Sequence, residues 1–266
     1  MAGRPYVLAE TPFAVVRQAP YDVALLPWGA TEAHNLHLPY GTDILESRAI
    51  ANLSAQHAWE AGARVVSLPA VPFGVNTTQL DIPLIINLNP TTMFEVLNDV
   101  VASLEVQEIH KLVILNGHGG NDFRWMVRQL YPNTDVFIAV VDWWKVLRAE
   151  DYFDEPGDHA GEMETSVMQE LFPELVLPLD RAGDGSVRVP RMKALRAGWA
   201  WTPRRWTQVT ADTGVGDPRR GSAEKGRRYL ADLTRTIGEF LVELAAADVD
   251  DLYVDPEHIS GDDGIK

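Results

Sequence analysis

The chain contains no cysteine among its 266 residues. Disulfide bonds and thiolate metal ligands are therefore excluded, and any bound metal ion must take nitrogen and oxygen ligands. Without cysteine, the sequence also carries no redox signal that would identify the compartment of the protein.

Long apolar runs and positive charges are also scarce. No apolar run approaches about 18 uninterrupted residues, the usual length for crossing a bilayer, and residues 1–13 contain no sustained apolar stretch of the signal-peptide kind. Lys and Arg number 23 against 38 Asp and Glu, which gives a formal net charge of −15. Because nucleic acids and anionic membranes repel such a chain, we expect a cytoplasmic protein that binds neither.

The remaining composition fits a globular protein. Hydrophobic residues make up 46% of the chain, enough for a large core, and no boundary signal divides it. We predict a single α/β domain over residues 1–247. Residues 248–266 are rich in Asp and are predicted to form a solvated acidic tail.

Strand-like and helix-like segments alternate along the chain. Short apolar runs at 22–26, 64–69, 111–116 and 135–142 predict buried strands, and helices are predicted at 45–62, 91–110, 124–131, 158–171 and 222–247. This alternation favours a parallel sheet with crossover helices. Residues 73–89 are either a strand pair or a loop near the site. Residues 173–221, with an Arg- and Trp-rich middle, form a long loop region that is functional or an interaction arm.

Polar residues follow three of these strands. Glu32, His34, His37 and Asp43 lie after the first strand, His118 lies between Asn116 and Asn121 after the third, and the segment after the fourth strand carries His159, Glu162 and Glu164. Strand ends of a parallel sheet can converge, and imidazole with carboxylate ligands suits Zn, Mn or Fe. Each residue alone could also be an ordinary surface side chain. The two glutamates could simply favour the start of a helix.

The glycines around His118 have another possible interpretation. A glycine-rich loop can cradle phosphates, but the GxGxxG spacing and a Walker lysine are both missing, which argues against nucleotide binding. Trp143 and Trp144, after the fourth strand, could wall a substrate pocket or could be core residues.

Three segments together resemble a known family. GATEAHNLHLPYGTD at 29–43, LNGHGGN at 115–121 and HAGEMETS at 159–166 are similar, in the same order, to the signature blocks of the creatininase (creatinine amidohydrolase) family. The resemblance implies a three-layer α/β/α sandwich with a mostly parallel central sheet. It also implies two divalent metal ions (Zn, Mn or Fe) that activate water for hydrolysis of a small molecule, usually in a homohexamer.

The resemblance also implies residue roles. Glu32 and His34 each hold one metal, Asp43 bridges the two, and His118 joins Glu32 on the first. His159 falls at the catalytic histidine. Creatininase itself has a glutamate ligand at the position of Gly120, and many relatives with two glycines there carry one at the position of Glu162, so Glu162 is assigned to the second metal. The residues left to support the ligands, shape the loop or contact substrate are Glu164, Asn116, Asn121, His37 and Asn35.

The substrate is expected to differ from creatinine. Creatininase encloses creatinine with two tryptophans; Trp144 matches one, but no tryptophan lies near Glu155 to match the other. Asn35 and the polar segment 76–81 suggest a hydroxyl-rich ligand. The favoured function is hydrolysis of a C–N amide bond in a small polar cyclic substrate. The alternatives are a C–C hydrolase of a keto-inositol and a non-catalytic binding protein with a structural metal.

Overall fold

Four parallel strands form the central sheet of this computed structural model, which describes residues 3–255. The strands are β1 (Val23–Trp28), β2 (Val65–Ser67), β3 (Lys111–Asn116) and β4 (Phe137–Asp142), in the order β2-β1-β3-β4. The register pairs Trp28 with Asn116 and Asn116 with Asp142. Three neighbouring strands therefore end at the same edge of the sheet, and the loops that follow them meet there.

Helices cover both faces of the sheet. They are α1 (Phe13–Val16), α2 (Thr42–Glu60), α3 (Pro90–Val106), α4 (Arg124–Leu130), α5 (Glu162–Leu171), α6 (Lys193–Arg196), α7 (Trp206–Val209) and α8 (Ala223–Ala246). Side chains alternate along a strand. In β1, Val23 and Leu25 accordingly pack with α2, α5 and α8, while Ala24, Leu26 and Trp28 pack with α3 and α4. The predicted three-layer α/β/α sandwich with a parallel sheet is confirmed.

Element boundaries differ from the sequence-based prediction at several places, and two of the differences bear on the site. Helix α2 begins at Thr42, so Asp43 lies in the first helical turn and not in the preceding loop. Residues 73–89, left open between a strand pair and a loop, form a loop fastened by isolated bridges of Thr31 to Ile86 and of Gly74 to Asn87. Both features place polar side chains at the carboxyl edge of the sheet.

The C-terminal region begins with the long helix α8, capped by Ser222, whose Oγ accepts a hydrogen bond from the Lys225 N–H at 3.3 Å. Residues 248–255 of the predicted acidic tail contain neither helix nor strand, and residues 256–266 lie outside the described part of the chain. The division into one domain and a tail stays a prediction. Within residues 3–255, no helix combines the length and the apolar character that spanning a membrane requires.

Candidate metal centre

The first group of metal-binding side chains lies where the loops after β1 and β3 meet the start of α2. The Nδ1 atom of His118 is 2.9 Å from Glu32 Oε1 and 3.1 Å from Asp43 Oδ2. All three side chains are buried. Their ligand atoms lie within 4.8 Å of one another, close enough to hold one metal ion.

The second group shares Asp43 with the first. The Nε2 atom of His34 is 2.8 Å from Asp43 Oδ1 and 3.9 Å from Oε1 of Glu164, which lies in the first turn of α5. These atoms also lie within 4.8 Å of one another. Asp43 thus presents one carboxylate oxygen to each group, which is how a carboxylate bridges two cations.

The three site histidines share one pattern of hydrogen bonding. In each ring one nitrogen lies near a backbone carbonyl, at 3.2 Å for His34 Nδ1 with Glu32 O, 3.1 Å for His118 Nε2 with Val75 O and 2.9 Å for His159 Nε2 with Ala33 O. A carbonyl only accepts, so that ring nitrogen carries the hydrogen. In the neutral ring, the other nitrogen keeps its lone pair and faces the carboxylates, as metal-binding histidines do.

Unpaired atoms in the same place support this interpretation. Throughout residues 3–255, Asp43 Oδ2 and His34 Nε2 are among the buried side-chain atoms without a hydrogen-bond partner. A nitrogen lone pair and a carboxylate oxygen repel each other unless a proton or a cation lies between them. The set of donor atoms therefore fits divalent cations with nitrogen and oxygen ligands.

Electrostatics in the metal-free protein point the same way. Burial lowers the pKa of His34, but the carboxylates of Asp43, Glu164 and Glu32 outweigh burial and raise it to about 10. Burial raises the pKa of Glu32, whereas the imidazoles of His118, His159 and His34 lower it by more. Protons on the imidazoles thus balance the buried carboxylates, and a bound cation would displace them.

Glu162 does not lie in either group. Its carboxylate contacts the Lys225 ammonium of α8 and accepts a hydrogen bond from the Glu155 N–H at 2.8 Å. Residues two apart on a helix point about 200° apart around the axis, so Glu162 faces α8 while Glu164 faces the ligands. Oε2 of Glu164 accepts from the Ala160 N–H, which leaves Oε1 toward His34. In this structure it is therefore Glu164, and not Glu162 as the resemblance implies, whose carboxylate lies with His34 and Asp43.

Gly120 lies in a crowded part of the loop after β3. A Cβ atom at this position would collide with the His118 ring and with the carbonyl of Val75. The loop after β3 therefore has no room for a side chain at residue 120.

His159 lies at the edge of the centre. Its Nδ1 atom is 3.7 Å from Glu32 Oε1, and its ring centroid is 4.2 Å from that of His34. The ring of Trp206, in α7, meets the His159 ring edge-on at 5.3 Å. Trp206 also donates from Nε1 to Thr213 O at 3.2 Å and from its backbone N–H to Thr78 O at 3.2 Å. Trp206 therefore contacts the segments that carry Thr78, His159 and Thr213.

Sequence reasoning did not single out three buried residues here, although one of them, Gln79, lies in the polar segment 76–81 that it noted. Gln79 donates from Nε2 to Glu32 Oε2, and Trp206 holds His159 as described. Glu46, in α2, has no partner for either carboxylate oxygen within residues 3–255, and burial, reinforced by Glu164 and Asp43, raises its pKa well above the usual value. Glu46 could have been noticed because it interrupts the buried face of a predicted helix. No spacing rule connects Gln79 or Trp206 to the signature segments.

Asn35 and His37 make hydrogen bonds that connect the loop after β1 to other segments around the candidate metal centre. Asn35 adopts a left-handed backbone conformation (φ 52°), and its side chain pairs with the backbone of Gly183, donating at 3.2 Å and accepting at 2.8 Å. This contact argues against the expected role of Asn35 in binding a hydroxyl-rich ligand. His37 Nε2 lies 2.9 Å from Thr165 Oγ1, and burial together with His34 lowers the pKa of His37 to about 4.

Asn116 and Asn121 shape the loop that carries His118. Asn116 Oδ1 accepts from the His118 N–H at 3.1 Å and from Asn121 Nδ2 at 3.2 Å, while Asn121 Oδ1 accepts from the Val75 N–H at 3.1 Å.

Trp144 packs beside Trp143, with 6.1 Å between ring centroids, against the core under α8. Within residues 3–255, the tryptophan whose ring packs against a site histidine is Trp206, not Trp144.

Comparison with known proteins adds to this geometry. The family model for creatininase, described as creatinine amidohydrolase, matches residues 10–241. The mycofactocin precursor peptide peptidase of Mycobacterium ulcerans (strain Agy99) is 28% identical over 238 residues, covering 85% of this chain and 88% of that protein. The creatinine amidohydrolase of Pseudomonas putida is 26% identical over 244 residues, covering 83% and 89%.

Solved structures share the fold. A crystal structure of a Bacteroides fragilis NCTC 9343 protein, provisionally named creatinine amidohydrolase, is 42% identical, with a TM-score of 0.88 over 92% of this chain and 98% of that one. Creatininase structures described as a Zn-Zn type and as a Mn form are 21% identical, each covering 92% of this chain and 100% of its own, with TM-scores of 0.74 and 0.76.

Proposed function

The chain belongs to the creatininase family and is a metal-dependent hydrolase, and from this premise we propose that it cleaves a C–N amide bond of a small polar substrate at two divalent ions. The observation that carries the proposal is Asp43, whose two carboxylate oxygens lie 2.8 Å from His34 Nε2 and 3.1 Å from His118 Nδ1. One carboxylate between two separate ligand groups is the arrangement of a binuclear site.

We assign ligands from these contacts. Glu32, Asp43 and His118 would hold the first ion, and His34, Asp43 and Glu164 the second. When bound, two such ions supply Lewis acidity and lower the pKa of water toward neutrality. Zn, Mn and Fe all suit this nitrogen and oxygen donor set.

The protein's own residues would position the reacting groups. Gln79 holds Oε2 of Glu32, so that Oε1 stays directed at His118 and His159. The Ala33 carbonyl and the Trp206 ring fix the orientation of the His159 imidazole. We propose that His159 passes a proton to the leaving nitrogen, as general acid–base catalysis requires of a positioned imidazole.

The names of the two curated relatives support C–N chemistry. A peptidase and an amidohydrolase both break an amide-type bond, and they match 85% and 83% of this chain, whereas a relative named 3-dehydro-scyllo-inosose hydrolase matches 58%, which favours C–N chemistry. A hydroxyl-rich substrate was expected from Asn35 and from the polar segment 76–81. Because the Asn35 side chain is paired with the Gly183 backbone, only the segment 76–81 still supports that expectation. The cyclic nature of the substrate, the exclusion of creatinine and an assembly of six copies belong to the same proposal and rest on the resemblance.

A substrate screen tests the proposed chemistry. Purified protein, reconstituted separately with Zn, Mn and Fe, is assayed against lactams, formamides, short peptides, creatinine and keto-inositols. We expect metal-dependent release of an amine from at least one amide, with little or none from creatinine. Turnover of keto-inositols without turnover of any amide would overturn the C–N assignment.

A further inference from the structure

His159 is held at its ring and at its backbone by one stretch of the C-terminal region. Residues 206–216, which we call the support loop, meet the His159 ring through Trp206, with 5.3 Å between ring centroids. They pair with the His159 backbone through Val215, whose N–H donates to His159 O at 2.8 Å and whose carbonyl accepts from the His159 N–H at 3.2 Å. Trp206 Nε1 donates to Thr213 O at 3.2 Å, so both contacts belong to one closed loop.

The carboxylate of Asp212 fastens the support loop internally and to a second segment. Its Oδ1 atom accepts from the Gly214 N–H at 2.9 Å, inside the loop, and its Oδ2 atom accepts from the Gly185 N–H at 3.0 Å, outside it. The backbone of Gly183, two residues before Gly185, pairs with the side chain of Asn35. A continuous set of contacts therefore connects the ligand loop after β1 to the support loop.

The support loop meets the segment of His159 at two glycines. Gly157 and Gly216 have φ angles of 80° and 112°, a backbone conformation that favours glycine. A Cβ atom at Gly216 would lie 2.6 Å from the Gly157 Cα, too close for a real contact, and the Gly216 N–H donates to Gly185 O at 3.0 Å. The close approach at Gly216 therefore sets the distance between the support loop and the backbone of His159.

We propose that Gly216 and Asp212 are positioning residues for His159, on which they act through the support loop. The His159 ring reaches Ala33 O at 2.9 Å, so a shift of its backbone would break this hydrogen bond and turn the ring away from the metal centre. A misplacement of about 1 Å can lower a rate by about 100-fold. The inference rests on the proposal that His159 transfers the proton, and it adds what holds His159 in place.

Gly216→Ala tests the inference, with Gly198→Ala as its matched control. Gly198 also has a positive φ, 75°, but has no atom within 4 Å of its Cβ position, so the close contact is what distinguishes the two variants. We expect Gly216→Ala to lower kcat by about 100-fold, with KM changed by less than about 3-fold and metal content unchanged. Gly198→Ala should keep both constants within about 3-fold of wild type.

A second pair of variants tests Asp212. Asp212→Asn keeps the size of the side chain but replaces one accepting oxygen with a donor, so one of the two segments loses its hydrogen bond. Its control is Asp184→Asn, since Asp184 is exposed and accepts from the Ser186 N–H at 3.0 Å, within its own turn. We expect Asp212→Asn to lower kcat in the same way as Gly216→Ala but by less, and Asp184→Asn to match wild type.

Hydrogen exchange at the ring C2 position of each histidine, followed by mass spectrometry on the zinc-loaded protein, gives a readout that does not depend on activity. His34, His118 and His159 are all buried, and each has a ring nitrogen near a backbone carbonyl, so the first two serve as internal references. We expect exchange at His159 alone to become faster, by about 3-fold or more, in Gly216→Ala and in Asp212→Asn.

The outcomes separate this inference from the proposed function. Unchanged exchange at His159 in both variants, with folding verified by thermal melting, would overturn the positioning role whatever the activity. Equal acceleration at all three histidines would also count against it, because the whole fold would then have loosened. Faster exchange at His159 with an unchanged kcat would support the positioning role and overturn the proposed catalytic role of His159. If Gly216→Ala does not fold, Asp212→Asn decides.

Discussion

Two glutamates in the first turn of α5 have different surroundings, although Glu162 is fully buried and the Glu164 side chain is only 13% exposed. Glu164 lies 3.9 Å from His34 Nε2 through Oε1, while Glu162 contacts Lys225. Only Glu164 can therefore contribute charge to the metal centre without moving the helix. Glu162 instead fastens α5 to the N-terminal turn of α8.

Substitution of each glutamate by glutamine tests this distinction. We expect Glu164→Gln to reduce bound metal toward one ion per chain and to abolish most activity, because it removes a charged ligand. The matched Glu162→Gln variant should keep both ions and lose about 1–3 kcal/mol of unfolding free energy, since it leaves the Lys225 ammonium without its buried partner. Elemental analysis and thermal melting measure the two effects. A Glu162→Gln protein that lost an ion while Glu164→Gln kept both would reverse our assignment.

The position of α5 depends on its contact with α8. A Cβ atom at Gly226 of α8 would collide with the Ser166 carbonyl of α5, and Ser166 Oγ accepts from the Ser222 N–H at 3.1 Å. The two helices thus approach closely where Gly226 of α8 meets Ser166 of α5. Ser166 lies two residues after Glu164. The distance between these helices fixes how far Glu164 reaches toward His34.

Gly226→Ala should therefore disturb both stability and metal binding. We expect a loss of about 1–3 kcal/mol in unfolding free energy, typical of overpacking, together with weaker binding of the second ion. Gly41→Ala is the control, because Gly41 lies close in sequence to Asp43 but has open space around its Cβ and φ −94°. It should change stability by less than about 0.5 kcal/mol. Metal titrations and denaturant unfolding that showed no difference between the two variants would contradict this account of helix packing.

The positions of the helices and strands could largely be predicted from the sequence. Which side of each element faces the candidate site could not. Buried strands such as 111–116 are short apolar runs, and α8 has clear helical spacing, so each could be located from its own residues. The orientation of α5 about its axis depends on α8, about 60 residues later in the chain. The same holds for Gln79 and Trp206, which reach the site through contacts between distant loops. Local patterns located the ligand loops, but contacts between segments chose which glutamate faces them.

At the scale of the whole molecule, buried carboxylates beside the centre need a counter-charge. Glu32, Asp43, Glu46 and Glu164 are all largely withdrawn from solvent, in a chain of net charge −15. Without a metal, protons supply that counter-charge. Asp43 and Glu164 outweigh burial and raise the pKa of His34, and burial raises the pKa of Glu46 and of Glu164. A metal ion would replace the imidazole protons with charge that does not depend on pH.

The pH dependence of stability should therefore differ between the metal-free and metal-loaded protein. His34 has a pKa of about 10 in the folded chain against 6.5 for an ordinary histidine. A raised folded pKa contributes stability that is fully present below about pH 6.5 and is lost as the pH rises toward 10. The raised pKa values of His118, Glu46 and Glu164 act in the same direction. The lowered pKa of His37 adds no change in this range, because its contribution is lost only as the pH falls below about 6.5.

Melting curves of the chelator-treated and the metal-loaded protein at pH 7, 8 and 9.5 test this linkage. We expect the melting temperature of the metal-free protein to fall by at least about 4 °C across the series, since 1 kcal/mol corresponds to about 2–4 °C for a chain of this size. The metal-loaded protein should change less, so the stabilisation by metal should grow with pH. A metal-free protein whose melting temperature rose or stayed constant over this range would show that protonated imidazoles do not balance the buried carboxylates.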